Sequence, residues 1–287
     1  MASLRDTRRR IGSVKNTRQI TRAMKLVAGA KLRRATEAAT AAKPYQQTLS
    51  RVLTRVVAGA GSVEHPLLNV PDNETDIVIA VLTSDRGLCG GFNAQLLRKV
   101  QIDVDAMIAE GKTVRLLAYG KKGNAYFSSR GYDVAEAHLD LDPDDYSDIA
   151  DKLAEKLMSE MAGNAFEKAY VAFNDFRSVM VQDPTLAQVL PMVLDTDESD
   201  DQGGDFIYEP DGTEILGRLL PMALRTQIFQ SFLETQAGEQ AARMAAMDNA
   251  TRNASDLIDS LTLVYNRARQ AAITTELTEI VSGAEAL

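Results

Sequence analysis

The sequence has no tryptophan, one cysteine and two histidines, and only 6% of its 287 residues are aromatic. A lone Cys89 excludes an internal disulfide and any cysteine-based zinc cluster. His65 and His138 lie far apart in unlike contexts and support no histidine metal site. No run approaches the ~18 consecutive apolar residues of a spanning helix. The N-terminus is charged from Arg5 onward and lacks the apolar core of a secretory signal. Scarce aromatics beside abundant Ala and Thr point to long helices packed through small side chains. A hydrophobic content of 45% is ordinary for a folded chain and allows a sizeable core.

The net charge of −8 conceals a split. Residues 1–57 hold fourteen Lys/Arg against Asp6 and Glu37, a balance of +12, and the other 230 residues carry −20. A basic arm of this kind, with Arg8, Arg9, Lys15, Arg33 and Arg34, is built to meet something acidic: nucleic acid, anionic lipid or an acidic protein surface. No aromatics interleave with the basic residues to stack on bases, and the apolar stripe beside them looks committed to a protein, which favours an acidic protein surface.

Three segments differ in pattern. Residues 2–59 read as one helix, with Ile11, Val14, Ile20, Met24, Val27 and Ala30 on one stripe. Pro44 is its only internal breaker and is expected to kink or locally end it. Residues 60–210 alternate between strands (77–84, 113–120, 169–176 and 186–194) and helices (94–110, one before Gly131, 149–161), the pattern of a layered α/β domain. The stretch 195–205 is acidic and reads as an exposed loop. Residues 213–285 form a second long helix, with Pro221 in its first turns and Gly238 in its interior. Its stripe runs Met247, Ala250, Ala254, Leu257, Leu261, Val264 and Ala268, a coiled-coil seam. Two striped helices at opposite chain ends must bury their seams together, and a domain between them makes them antiparallel. The expected fold class is therefore α/β: a long antiparallel coiled coil of N- and C-terminal helices with an inserted Rossmann-like α/β domain. Boundaries are expected at 1–60, 61–210 and 211–287, with the C-terminal helix protruding beyond its partner.

The tempting chemical sites fall away. TSDRGLCGGFN (83–93) follows a strand, but its glycines at 87, 90 and 91 fit neither phosphate-binding spacing. GKT at 111–113 opens a strand and has Ala106 where the P-loop glycine belongs. Arg86 stands near Cys89, yet no histidine is placed to activate a thiol. DLDPDDYSD (140–148) lacks the glycine and distal Glu of a calcium loop. No catalytic, cofactor or metal residue is expected.

Three stretches carry a resemblance: IGSVKNTRQITRAMKLVAGAKLRRA (11–35), TSDRGLCGGFN (83–93), and the C-terminal run from 239 that ends in ITTELTEIVSGAEAL (273–287). All three resemble the γ subunit of the F-type ATP synthase, the central rotor shaft. The likeness covers the architecture of the whole chain and the sequence of both terminal helices.

That resemblance implies a subunit without an active site. It would turn inside a ring of three α and three β subunits, joined by an ε subunit to the membrane-embedded c-ring, and couple proton flow to ATP synthesis or hydrolysis. Met24 and Lys25 resemble shaft residues that pass acidic loops of β. Arg243, Arg269, Gln270, Thr274 and Glu276 resemble polar positions that grip β loops, and Leu261 and Val264 would be seam. The tip 282–287 would turn in the apolar collar of the ring, and Arg86 and Cys89 would touch β near its base. The match begins almost at Met1, which leaves no room for a cleaved transit peptide, and Cys89 alone excludes a regulatory dithiol. Together these imply a bacterial enzyme, peripheral on the cytoplasmic face of the inner membrane. The alternative reading is a basic coiled-coil scaffold or nucleic-acid-binding protein.

Overall fold

The computed structural model describes residues 4–59, 65–69, 74–193 and 212–285. The acidic stretch 195–205 and the last two residues of the expected tip lie outside them. The chain divides into two compact units, one made of residues 1–29 with 243–287 and the other of residues 30–242.

The larger unit is built on a five-stranded sheet. Its strands are β1 (Asp76–Leu82), β2 (Thr113–Tyr119), β3 (Val134–His138), β4 (Lys168–Phe176) and β5 (Gln182–Leu190), in the order β3-β2-β1-β4-β5. The first four are parallel, and β5 runs antiparallel to β4 at the edge. Between them lie helices α2 (Phe92–Ala109), α3 (Lys121–Ser128) and α4 (Tyr146–Ala162), the last entered through a 3₁₀ turn at Pro143–Asp145.

The apolar run of β1 is explained by burial on both faces. Ile77, Ile79 and Val81 pack with Leu96, Val100 and Phe127 of α2 and α3. Val78, Ala80 and Leu82 pack with Leu153 and Leu157 of α4 and with Leu53, Leu220 and Phe232 of the terminal helices. β3 escaped the sequence reading because VAEAH is half exposed at an edge and carries little apolar signal. β5 begins four residues before the expected strand and ends at Leu190, since Pro191 has no N–H for the ladder. Pro184 is tolerated inside β5 because that strand lies at the sheet edge.

The terminal helices are α1 (Leu4–Gly59) and α5 (Gly212–Glu285). Of the two outcomes expected at Pro44, a local end does not occur: α1 runs through it. Proline in a helix interior costs about 3 kcal/mol, and the burial of Ala39, Leu49 and Leu53 on either side of it offsets that loss. Most withdrawn positions of α1 follow an alternation of threes and fours: 4, 7, 11, 14, 18, 21, 25 and 28, then 32, 35, 39, 42, 46, 49, 53 and 56, with Met24, Gly29, Thr36, Thr54 and Val57 half-buried beside that line.

This corrects the predicted stripes. Ile20 and Val27 are 60% and 57% exposed. Their seam places are held by Thr21, Lys25 and Ala28. On α5 from 247 onward the covered line runs through Met247, Thr251, Ala254, Ile258, Leu261 and Tyr265, with Asp248, the expected Ala250 and Ser255 half-buried beside it. Leu257 and Val264, expected in the seam, are 45% and 51% exposed. The seam of the smaller unit is partly polar, so selecting for apolar residues found a neighbouring line instead.

Candidate partner-binding surface

In the smaller unit, three pairings fix α1 against α5. The Thr251 hydroxyl donates to Thr21 Oγ1 at 2.8 Å. Lys25 Nζ donates to Asp248 Oδ1 at 2.6 Å. A Cβ on Gly29 would stand 3.5 Å from Met244 Sδ. Advancing along α1 goes with retreating along α5, so the pair is antiparallel, and the same register continued to Leu4 reaches the neighbourhood of Arg269. Past that point no described residue of α1 lies beside α5. Every described side chain from 273 onward is exposed, including Ile273, Leu277, Ile280 and Val281 on one helical stripe.

The expected contact residues fall into two kinds. Arg269, Gln270, Thr274 and Glu276 are exposed on this unaccompanied stretch. Thr274 satisfies its hydroxyl by donating to Gln270 O at 3.0 Å, and Thr275 and Thr278 bond back the same way, so these hydroxyls are internally engaged. Met24, Lys25 and Arg243 are half-buried. Lys25 is held by Asp248, whose other oxygen lies 3.4 Å from Arg252. The Lys25 hydrogen bond, more than its charge, keeps the Asp248 carboxyl below the ordinary 3.8. Stability from this pair is therefore present above pH 3.8 and lost as the pH falls through the lowered value. Asp248→Asn should destabilise the chain at neutral pH, and the difference from the parent chain should close in acid, as followed by thermal unfolding at pH 7 and at pH below about 3. In the basic arm, Arg8, Arg9, Lys15 and Arg34 are exposed, and Arg33 is exposed while bonding Glu37 at 2.9 Å.

In the larger unit, the 83–93 loop ties together three strand ends. Asp85 Oδ1 accepts from the backbone N–H of Lys121 at 2.9 Å and of Asp140 at 3.2 Å, and Oδ2 accepts from that of Leu141 at 3.1 Å. The carboxylate of Asp85 thus takes backbone donors of the two neighbouring strand ends. Asn93 accepts from Ser84 N at 3.0 Å and donates to Ser84 Oγ at 2.7 Å, with Cys89 Sγ 3.2 Å from its amide. Of the two loop residues expected on a partner, Arg86 is exposed, whereas Cys89 is 2% exposed and turned inward. The acids at 140, 142, 144 and 145 are exposed; Asp140 pairs with Lys121, and Asp142 caps the 3₁₀ turn by accepting from Asp144 N at 3.1 Å.

Sequence reasoning missed Asp85 and Asp248, whose roles depend on contacts distant in the chain. No described helix is long and apolar enough to cross a membrane.

A family model described as ATP synthase matches residues 3–287. The ATP synthase gamma chain of Desulforamulus reducens is 44% identical over 287 residues, covering 100% of both chains. That of Paracoccus denitrificans is 45% identical over 292 residues, again with 100% coverage of each. In the Euglena gracilis mitochondrial ATP synthase structure of OSCP, F1 and c-ring, one chain superposes with a TM-score of 0.66 at 21% identity, over 99% of this chain and 94% of that one, a likeness of fold. These relatives give no support to a basic scaffold or nucleic-acid-binding protein. The chain belongs to the ATP synthase γ-chain family.

Proposed function

We propose that the chain turns inside a ring of three α and three β subunits and transmits torque without an active site of its own. Residues 1–60 and 211–287 serve as shaft helices, and 61–210 as a foot that meets an ε subunit and the c-ring on the cytoplasmic face of a bacterial inner membrane. Proton flow through the membrane sector drives the rotation, and ATP is made or hydrolysed on β.

The observation that carries this reading is the end of α5. Beyond Ala272 its side chains are exposed among the described residues, yet it presents Ile273, Leu277, Ile280 and Val281 on one side with Glu276 and Glu279 beside them. Shifting a neighbour between two states by ~10⁴ in preference takes about 5.5 kcal/mol of differential contact. A surface with unlike sides can supply that to three identical neighbours in turn, whereas a uniform one binds all states alike and shifts none. Arg269, Gln270, Thr274 and Glu276 would grip β, with Met24, Lys25 and Arg243 lower on the pair and Arg86 near the base. The exposed Arg8, Arg9, Lys15, Arg33 and Arg34 would face acidic protein.

The test is assembly with α and β subunits of the same organism. One copy per ring of three α and three β should co-elute; the chain alone should show no ATPase activity, and adding it should restore rotation-coupled hydrolysis to the ring. Glu276→Ala should lower turnover of the assembled complex about tenfold, the worth of one charge-assisted hydrogen bond, with no change in the chain's own melting because Glu276 is exposed. Failure to co-elute in that ratio overturns the rotor reading, and unchanged turnover overturns the role of Glu276.

A further inference from the structure

Four buried side-chain atoms have no hydrogen-bond partner among the described residues: Asp103 Oδ2, Arg225 Nε, Gln230 Oε1 and Thr235 Oγ1. The first two have an opposite charge close by, Lys99 Nζ at 3.3 Å and Asp151 Oδ1 at 4.0 Å. The other two are neutral and stand little more than a turn apart on α5, within the larger unit, Gln230 4% and Thr235 5% exposed. They belong to a buried polar band on that helix, with Ser231, Glu234 and Gln240. The band lies where folds of this kind admit a ligand. A doubly wound sheet binds outside the carboxyl ends of its strands, at the point where the strand order reverses, here between β1 and β4. α5 crosses that place. Phe232 meets Tyr119, the last residue of β2. A Cβ on Gly238 would stand 3.0 Å from Phe92 Cε2, at the start of the helix after β1, and 3.3 Å from Gln182 Cγ, which pairs with Phe176 at the end of β4. Thr235 lies midway between Phe232 and Gly238 along the helix.

Neither atom finds its partner by a local turn of the side chain. Elsewhere on α5 the hydroxyls of Thr226, Ser231, Thr251, Ser255 and Thr262 each donate to the carbonyl four residues back. Thr235, though buried, does not take that bond. Gln230 cannot exchange the ends of its amide. Its Nε2 donates to Glu234 Oε1 at 2.8 Å and to Ala39 O of α1 at 3.3 Å, and an oxygen turned there would face two acceptors.

A buried polar group left unpaired loses its hydration with nothing in return, and in folded proteins such groups are met by ordered water where the surroundings are polar. Thr83, Ser84 and Asn174, buried at the same strand ends, keep these surroundings polar. We propose that the packing of α5 on the larger unit is hydrated from within: one ordered water bonds Thr235 Oγ1 over the strand ends, and a second donates to Gln230 Oε1 on the side of α1. The first of these waters, with the helix that holds it, occupies the place a doubly wound fold keeps for its ligand. The inference does not depend on the rotor reading.

A crystal structure of the full chain tests both sites directly. Density for a water should stand about 2.6–3.2 Å from each of the two atoms, and an atom with no such density loses its water. Thr235→Val is the test in solution, since it changes the hydroxyl and little else of the shape. A valine strands the water that the hydroxyl held, so the unfolding constant should rise about tenfold. Were the hydroxyl dry, its removal would relieve an unpaired group and the constant would fall. Oxygen-17 relaxation dispersion, which counts waters held longer than the chain takes to tumble, should lose one water in the same variant. An unfolding constant that falls or stays level, or an unchanged count, overturns the water at Thr235.

Discussion

Gly120→Ala should cost the larger unit about 3–5 kcal/mol, close to the whole stability of many domains. Gly120 ends β2 at φ 105° and ψ 145°, backbone that is essentially reserved for glycine. A Cβ there would lie 2.1 Å from Thr83 O and 2.8 Å from Thr83 Oγ1. Neither side can yield. Gly120 N donates to His138 O at 2.8 Å, Thr83 N donates to Tyr119 O at 2.8 Å, and Gly123 N donates to Thr83 Oγ1 at 2.9 Å. Relieving the overlap means parting β1 from β2 where Asp85 gathers the strand ends. Gly131→Ala is the control, since Gly131 has φ +80° but nothing within 4 Å of its Cβ position. It carries the torsional strain without the overlap and should cost about 1 kcal/mol. At roughly 2–4 °C per kcal/mol, the Gly120 variant should melt about 10 °C lower and the Gly131 variant only a few degrees lower. Equal melting of the two would refute the close approach at Thr83.

Phe232→Ala should be of similar severity, about 3–5 kcal/mol for a large aromatic removed from a packed interior. Phe232 is 2% exposed on α5 and meets Tyr119 edge-on at 5.4 Å and Tyr146 at 5.2 Å. The first ring belongs to β2 and the second to α4, so one side chain joins the helix to two other elements. Aromatic pairs are worth about 0.5–1.5 kcal/mol beyond the area they bury, and both are lost together. Phe232→Leu keeps most of the volume and should cost about half as much, chiefly the ring contacts. Denaturant unfolding of the full chain separates them: the midpoint should fall in the order parent, leucine, alanine with a constant slope. Indistinguishable leucine and parental midpoints would show that the ring contacts contribute nothing.

The layered plan was legible because burial on both faces leaves a plain mark, the run of Ile77 to Leu82, and because two helices of 56 and 74 residues cannot stand unpartnered. What escaped has physical causes. β3 is an edge strand of small and charged residues, so its apolar signal is weak. The seam of the smaller unit uses Thr21, Thr251 and a lysine–aspartate pair, which no search for apolar repeats can find. Pro44 kept its helix because neighbours on α5 and the sheet bury the turns on either side of it. The contact positions proposed on α5 rest on family motifs, and their exposure follows from register. The burial of Cys89 was not legible, because it depends on how the loop closes over Asn93 and Ser84. Asp85 and Asp248 look like ordinary surface acids in the sequence, and only contacts across the fold set them apart.

The alternation of threes and fours along α1 has a mechanical consequence. A repeat of 3.5 residues falls short of the 3.6 of a straight helix, so a pair of helices keeping it must wind about each other in a left-handed sense. Within the smaller unit, twist applied in that sense tightens the winding and presses Ala28, Ala254 and Ile258 further into the seam. Twist of the opposite sense pays out the winding and draws Lys25 from Asp248 and Thr21 from Thr251, contacts weaker than a packed apolar core. The pair is therefore stiffer when driven one way round than the other, an inequality set by the spacing of residues along a single helix.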